Sequence, residues 1–133
     1  MAKHELCTLT PLEAAVMNVV WGVSEVTTRQ VHKKLQETAP RTYNTVLTVM
    51  RILHQKGLLS AERGGRAVVY RPTVTRAESA QVAIKEVTDR FFACSAPALL
   101  CHLVRHAALS DEELHAIRKE VDRRLNDPGR KAG

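Results

Sequence analysis

Asn44, Thr45, Thr48 and Arg51 are spaced to share one side of a single helix, with Tyr43 in its first turn. Short hydrogen-bonding groups beside a guanidinium, with no Glu or Lys among them, match the base edges and phosphates of a DNA major groove. A side that merely met solvent would more often carry Glu and Lys. The intervening Val46, Val49, Met50 and Leu53 fall at i, i+3, i+4 and i+7, the spacing of a helix side that packs inward. Arg41 and Thr42 lead into this helix, Thr42 as its N-cap, and Arg63 and Arg66 follow it in a basic hairpin. The expected DNA contacts are therefore Arg41, Thr42, Tyr43, Asn44, Thr45, Thr48, Arg51, Arg63 and Arg66.

Other groups could do chemistry, but each has a plainer account. His102 and His106 stand at i and i+4 beside Cys101, a spacing that can hold a transition metal. No acidic or cysteine partner lies at a recognisable interval, and the glutamate of a metalloprotease helix is missing. The plainer account is a partly exposed histidine pair next to a buried cysteine. Ser95 has no base at a readable spacing. Asp111, Glu112 and Glu113 open a helix, where its dipole and cap explain them. Trp21 could stack on a base, but at the end of an apolar helix it fills a core. No Gly-rich loop could cradle phosphates. No catalytic group, resident metal or cofactor is expected.

A chain of 133 residues has room for one compact domain or two small ones. Hydrophobic residues make up 44% but aromatics only 4%, so the core must be mostly aliphatic. No run of about 18 apolar residues marks a membrane span. Nor does the polar stretch from Met1 to Cys7 lead into a signal-peptide core. Cys7, Cys94 and Cys101 are odd in number and far apart, which argues for a reducing compartment, and so for the cytoplasm. The net charge of +6 is uneven: residues 1–74 hold ten Lys and Arg against five acids, residues 75–133 ten against nine. The excess lies in the half with the two-faced helix, as a phosphate-binding surface requires.

Local signals bound the elements that must position these groups. Thr10-Pro11-Leu12-Glu13 is a capping box with Pro at the first helical position, opening a helix with Leu12, Val16, Val19 and Val20 inward. Thr27 to Gln30 is a second box, with Val26 and Val31 at the staple positions and Leu35 also facing inward. Pro40 ends that helix, and the helix from Thr42 completes the skeleton of a helix-turn-helix. After Gly57 the period changes. Leu58–Arg63 and Arg66–Arg71 read as strands about a tight Gly64-Gly65 turn, closed by Pro72. Directly after such a helix this hairpin is the wing of a winged helix; an ordinary charged surface hairpin is the alternative.

Thr75 to Glu78 is a third box, starting a long helix with Ala80, Ala83, Ile84, Val87 and Phe91 along one side. Leu99, Leu100, Leu103 and Val104 belong to a second helix begun near Ser95. Ser110 to Glu113 opens a third, with Leu109 and Leu114 as its staple and Leu114, Ile117, Val121 and Leu125 in a narrow stripe. Three such helices bury little alone and much more as two interleaved copies, so these stripes are the expected dimer contacts. Packing back onto the N-terminal half is the alternative. The expected fold is mainly α with a small β-hairpin wing. A winged helix-turn-helix DNA-binding domain spans 1–74, a three-helix dimerisation domain 75–127 and a disordered tail 128–133.

The ordered set Leu9-Thr10, Glu13, Val16-Met17 and Val20-Trp21, then Thr45-Val46, Thr48-Val49, Arg51-Ile52-Leu53 and Lys56 to Leu59, then Gly65-Arg66 and Tyr70-Arg71-Pro72, carries a likeness. It resembles the bacterial penicillinase repressors, which include the beta-lactamase and methicillin-resistance repressors and copper-responsive relatives. The likeness continues weakly to about Asn126. It implies a homodimeric repressor on an inverted-repeat operator of double-stranded DNA, controlling beta-lactam resistance genes without a cofactor. In antibiotic-responsive members a membrane sensor metalloprotease cuts an Asn-Phe bond in the second C-terminal helix. The corresponding dipeptide here is His102-Leu103, so that sequence is not kept. Because the chain departs from the family there, the expectation is release by destabilising the C-domain dimer, with cleavage, if any, at a displaced site or with an altered sequence preference. The cysteine-rich C-terminal motif of the copper branch is missing from this tail. Two other readings stay open: a regulator of the same fold answering a metal or other signal, and a winged-helix protein-interaction module.

Overall fold

The computed structural model describes residues 9–129. Two compact units divide between Val87 and Thr88. The first opens with α1 (Pro11–Val23), whose capping box closes as its sequence dictates: Glu13 N donates to Thr10 Oγ1 at 3.1 Å and Thr10 N to Glu13 Oε1 at 2.9 Å. A matching box at Thr27 and Gln30 starts α2 (Thr28–Leu35), and Thr42 Oγ1 caps α3 (Tyr43–Gln55). Gly57, at φ 85°, stops α3 in a Schellman arrangement that a residue with a Cβ would strain. Leu58 N donates to Leu53 O and Gly57 N to His54 O, both at 3.0 Å. Both leucines are buried, and the chain turns straight into the hairpin.

The hairpin pairs β1 (Leu59–Gly64) with β2 (Ala67–Pro72) antiparallel, from Leu59↔Pro72 to Gly64↔Ala67. Its loop is therefore Gly65-Arg66 rather than the expected Gly64-Gly65. Such a loop needs positive φ only at its first residue, and Gly65 supplies it at 71°. The shift puts Arg66 in the turn itself. Val26 adds a one-residue bridge along β2 through two hydrogen bonds with Tyr70, at 2.7 and 3.0 Å.

The core is aliphatic. Val16, Met17 and Val20 of α1, Val31 and Leu35 of α2, and Val46, Met50 and Leu53 of α3 are fully buried, with Val49 and Tyr70 nearly so. Each such side chain removed from water is worth roughly 1.5–3 kcal/mol, so packing rather than helix propensity holds these short helices. Trp21 packs at the margin of this core and donates Nε1–H to Val74 O at 2.9 Å, which accounts for it without any base. The Arg76 guanidinium lies 5.4 Å from the Trp21 ring centroid, and its Nε donates to Asn18 Oδ1 at 3.3 Å. These contacts tie the first turn of α4 (Arg76–Phe91) to α1, and the compact unit runs beyond residue 74 to Val87.

The second unit holds the end of α4, then α5 (Ala96–His106) and α6 (Asp111–Leu125). Ser95 caps α5, and Ser110 closes a box with Glu113 at the start of α6. Between α4 and α5, Ala93 and Cys94 take left-handed φ of 50° and 64°, and Thr88 O accepts from both Phe92 N and Cys94 N. No residue of α5 or α6 is buried. Phe91, Leu100, Leu103, Val104, Ile117, Val121 and Leu125 are exposed, as are Ile84 and Val87 of the first unit; Leu99 and Leu114 are half-buried. Cys101, expected to be buried beside its histidines, is exposed instead, because no side of α5 is covered deeply enough to hide it. Pro128 and Gly129 form a turn, whereas the rest of the expected tail, 130–133, and Cys7 lie outside the described residues. No helix among the described residues is long and apolar enough to cross a membrane.

Candidate nucleic-acid interface

Burial of Val46, Val49, Met50 and Leu53 fixes which side of α3 looks outward. Opposite them stand Asn44, Thr48, Arg51 and Gln55, at i, i+4, i+7 and i+11, all exposed. Tyr43 flanks this stripe, 44% exposed, with its ring edge-on to His32 of α2 at 5.7 Å. Thr45 lies toward the other flank, half-buried, its hydroxyl 3.0 Å from Thr42 Oγ1 within the cap. Gln55 extends the stripe beyond the expected set; its distance of seven residues from Thr48 is the signal for it.

A cleft of about 500 Å³ opens between α2, α3 and the hairpin. Arg29, Arg51 and Arg66 line it from those three elements, beside Tyr43, Leu47 and Val68. Arg29 is absent from the expected set because α2 reads as purely structural until the hairpin is packed beside it. Arg63 pairs across the hairpin with Val68 and so shares its side of the sheet. Arg41 is exposed in the link before α3, with Nη1 donating to Pro40 O at 2.8 Å. The fold thus gathers Tyr43, Arg51 and Arg66 at one concavity, leaves Asn44 and Thr48 on the adjoining helix side, and engages Thr42 and Thr45 in the cap.

The charges are sorted. Among the described residues of 9–74, every acid is paired with a base outside the stripe of α3. Lys56 Nζ meets the buried Glu13 Oε2 at 2.8 Å, Arg71 meets Glu25 and Glu62 at 2.7 Å each, and Lys34 lies 3.7 Å from Glu37. Burial pushes the Glu13 carboxyl up, yet Lys56 and the Thr10 backbone N–H carry it below its ordinary value. Donation to Glu62, then to Glu25, raises the Arg71 guanidinium. Arg29, Lys33, Arg41, Arg51, Arg63 and Arg66 have no acidic partner among the described residues. What remains is uncompensated positive charge around the stripe, the arrangement that draws phosphates.

On α5, the rings of His102 and His106 are 4.6 Å apart, and Phe92 stands edge-on to His102 at 5.3 Å. No third His, Cys, Asp or Glu joins them among the described residues, one short of even an open catalytic zinc site. His102 and Leu103 are both exposed.

Comparison with known proteins places this geometry. The family model described as penicillinase repressor matches residues 9–123. A penicillinase repressor of Bacillus licheniformis is 25% identical over 118 residues, 89% of this chain and 92% of that protein. An uncharacterised 16.5 kDa protein from the ptsI 3′ region of Latilactobacillus sakei is 26% identical, over 80% of this chain and 73% of its own. The solution structure of the DNA-binding domain of the repressor BlaI is 30% identical, with a TM-score of 0.50 over 55% of this chain and 89% of that one. The hsRosR-S4 complex structure shares the fold, with a TM-score of 0.54 at 17% identity over 94% of this chain and 99% of that one. The chain belongs to the penicillinase repressor family, whose members are winged-helix, DNA-binding transcriptional regulators and not enzymes.

Proposed function

We propose that the chain is a cytoplasmic, homodimeric repressor that reads an inverted-repeat operator in double-stranded DNA and controls beta-lactam resistance genes. Residues 1–74 do the reading and residues 75–127 hold the dimer. The observation that carries this is the outward side of α3: Asn44, Thr48 and Arg51 beside Tyr43, over a buried stripe that permits no other orientation. With α3 in the major groove, Asn44, Thr48 and Arg51 reach base edges, while Arg41, Arg63 and Arg66 take phosphates. Thr42 and Thr45 hold the helix start in place. The Bacillus licheniformis penicillinase repressor supports the class of target, and the BlaI DNA-binding domain supports the mode of reading.

The dimer rests on the apolar side chains left exposed from Ile84 to Leu125, a surface that a second copy would cover with its own. Joining two half-site readers raises their effective concentration, so losing the dimer releases the operator. Cleavage by a membrane sensor metalloprotease near His102-Leu103 would be one route. His102 and Leu103 are exposed on α5 of the single chain, but a second copy would cover this surface, so cutting would first require local opening. Mobility shifts on palindromic and random duplexes test the reading itself. Tight, salt-sensitive preference for a palindrome is expected; no shift on either would overturn it. Inducing cells with a beta-lactam tests the release. A cut between Leu99 and Ala108 accompanying derepression supports proteolysis, and derepression with the repressor intact removes it.

A further inference from the structure

We propose that Arg71 is the positioning residue of the wing: it clamps the hairpin to the link between α1 and α2 and so aims the tip that carries Arg63 and Arg66. This rests on the DNA-reading role above. Arg71 Nη2 and Nε reach Glu25 Oε2 at 2.7 and 2.8 Å, and Nη1 reaches Glu62 Oε1 at 2.7 Å. Glu25 lies 46 residues back in the link, while Glu62 lies on the partner strand of the same hairpin. One planar fork therefore joins two segments, which a lysine, a single point of charge, cannot do in the same way. Nε and Nη1 donate hydrogen bonds and Nη2 makes an ion-pair contact, so all three guanidinium nitrogens have a carboxylate partner within the protein.

The clamp sits where a wing needs one. A two-stranded ribbon is marginal alone and twists readily, so its tip points where its base is held. The hairpin's link to the segment before α2 consists of the Val26–Tyr70 backbone pair and, at the next residue, Arg71. From there to Arg66 the hairpin runs out to its turn. Glu62 also directly precedes Arg63. Successive side chains of a strand point to opposite sides, so Glu62 and Arg71 form their pair across the sheet from Arg63 and leave the Arg63 side unobstructed.

The test compares operator affinity and melting temperature of full-length wild type, R63A/R66A, R71K and R71K/R63A/R66A. R71K keeps the charge but breaks the double bridge. We expect it to bind about fivefold more weakly, the upper range for an exposed charged contact. Its melting temperature should be unchanged, and it should add no loss to R63A/R66A. Three results would overturn the clamp: R71K binding like wild type, a loss that tracks a lowered melting temperature, or an equal loss in the R63A/R66A background. A wild type that binds no operator would instead sink the DNA reading itself, whereas weaker binding by R63A/R66A alone would leave that reading standing without the clamp.

Discussion

Arg51 and Glu13 show the two tasks that single residues perform in the N-terminal half. Arg51 projects from the exposed side of α3; in the proposed reading it would make a bidentate contact to a base, and Arg51→Ala should then cost about 1–3 kcal/mol on the specific operator and less on random duplex. Competition binding by fluorescence anisotropy measures both; equal losses would reduce Arg51 to a phosphate contact. Glu13 is buried against Lys56, with its carboxyl held below the ordinary value of 4.5. A depressed carboxylate stabilises the fold above its unfolded value, and that stability is lost as pH falls through the folded one. Glu13→Gln keeps the Thr10 capping partner but not the charge. It should cost about 1–3 kcal/mol at neutral pH and flatten the loss of stability below about pH 4.5. Denaturant titrations across pH would show this, and an unchanged stability at pH 7 would contradict it. The stripe on α3 was legible because its period is local. The pairing of Glu13 with Lys56 was not, since 43 residues separate them and nothing nearby in sequence announces the contact.

At the scale of elements, the helices were legible wherever their caps are written into the chain. Thr10, Thr27, Thr42, Ser95 and Ser110 each accept the backbone hydrogen bond that their position calls for. The hairpin was legible in outline but off by one residue at its turn. Gly64-Gly65 reads naturally as a pair of positive-φ positions, yet the register leaves Gly64 in β1. Burial of Leu58 and Leu59 and the bond from Val26 to Tyr70 fix that register, and these are tertiary facts. Gly57→Ala should cost about 1–2 kcal/mol by forcing a Cβ into the left-handed turn that joins α3 to the wing, seen as a lowered melting temperature. Arg63→Ala with Arg66→Ala should weaken operator and random DNA alike and flatten the slope of log K against log salt. Unchanged affinities in that pair would mean the hairpin points away from DNA.

Across the whole molecule, the apolar stripes from Ile84 to Leu125 were legible, but their coverage was not. A helix side that meets a second copy carries the same period as one that meets its own core. The winged-helix unit extends into α4 through Trp21, Asn18 and Arg76, contacts between residues more than fifty apart. A fragment of residues 1–87 should therefore fold alone yet bind operator far more weakly than the full chain. Val121 is 53% exposed on α6, so Val121→Asp should leave each copy folded while shifting sedimentation to the monomer. The most direct test of the account is a hydroxyl-radical footprint of the full-length protein on its operator. Two α3 helices related by a two-fold axis should protect two symmetric patches whose centres lie about 10 base pairs, or a multiple of that, apart. Both patches should fade together in the Val121→Asp protein. A single asymmetric patch, or the same footprint from the monomeric variant at equal concentration, would contradict it.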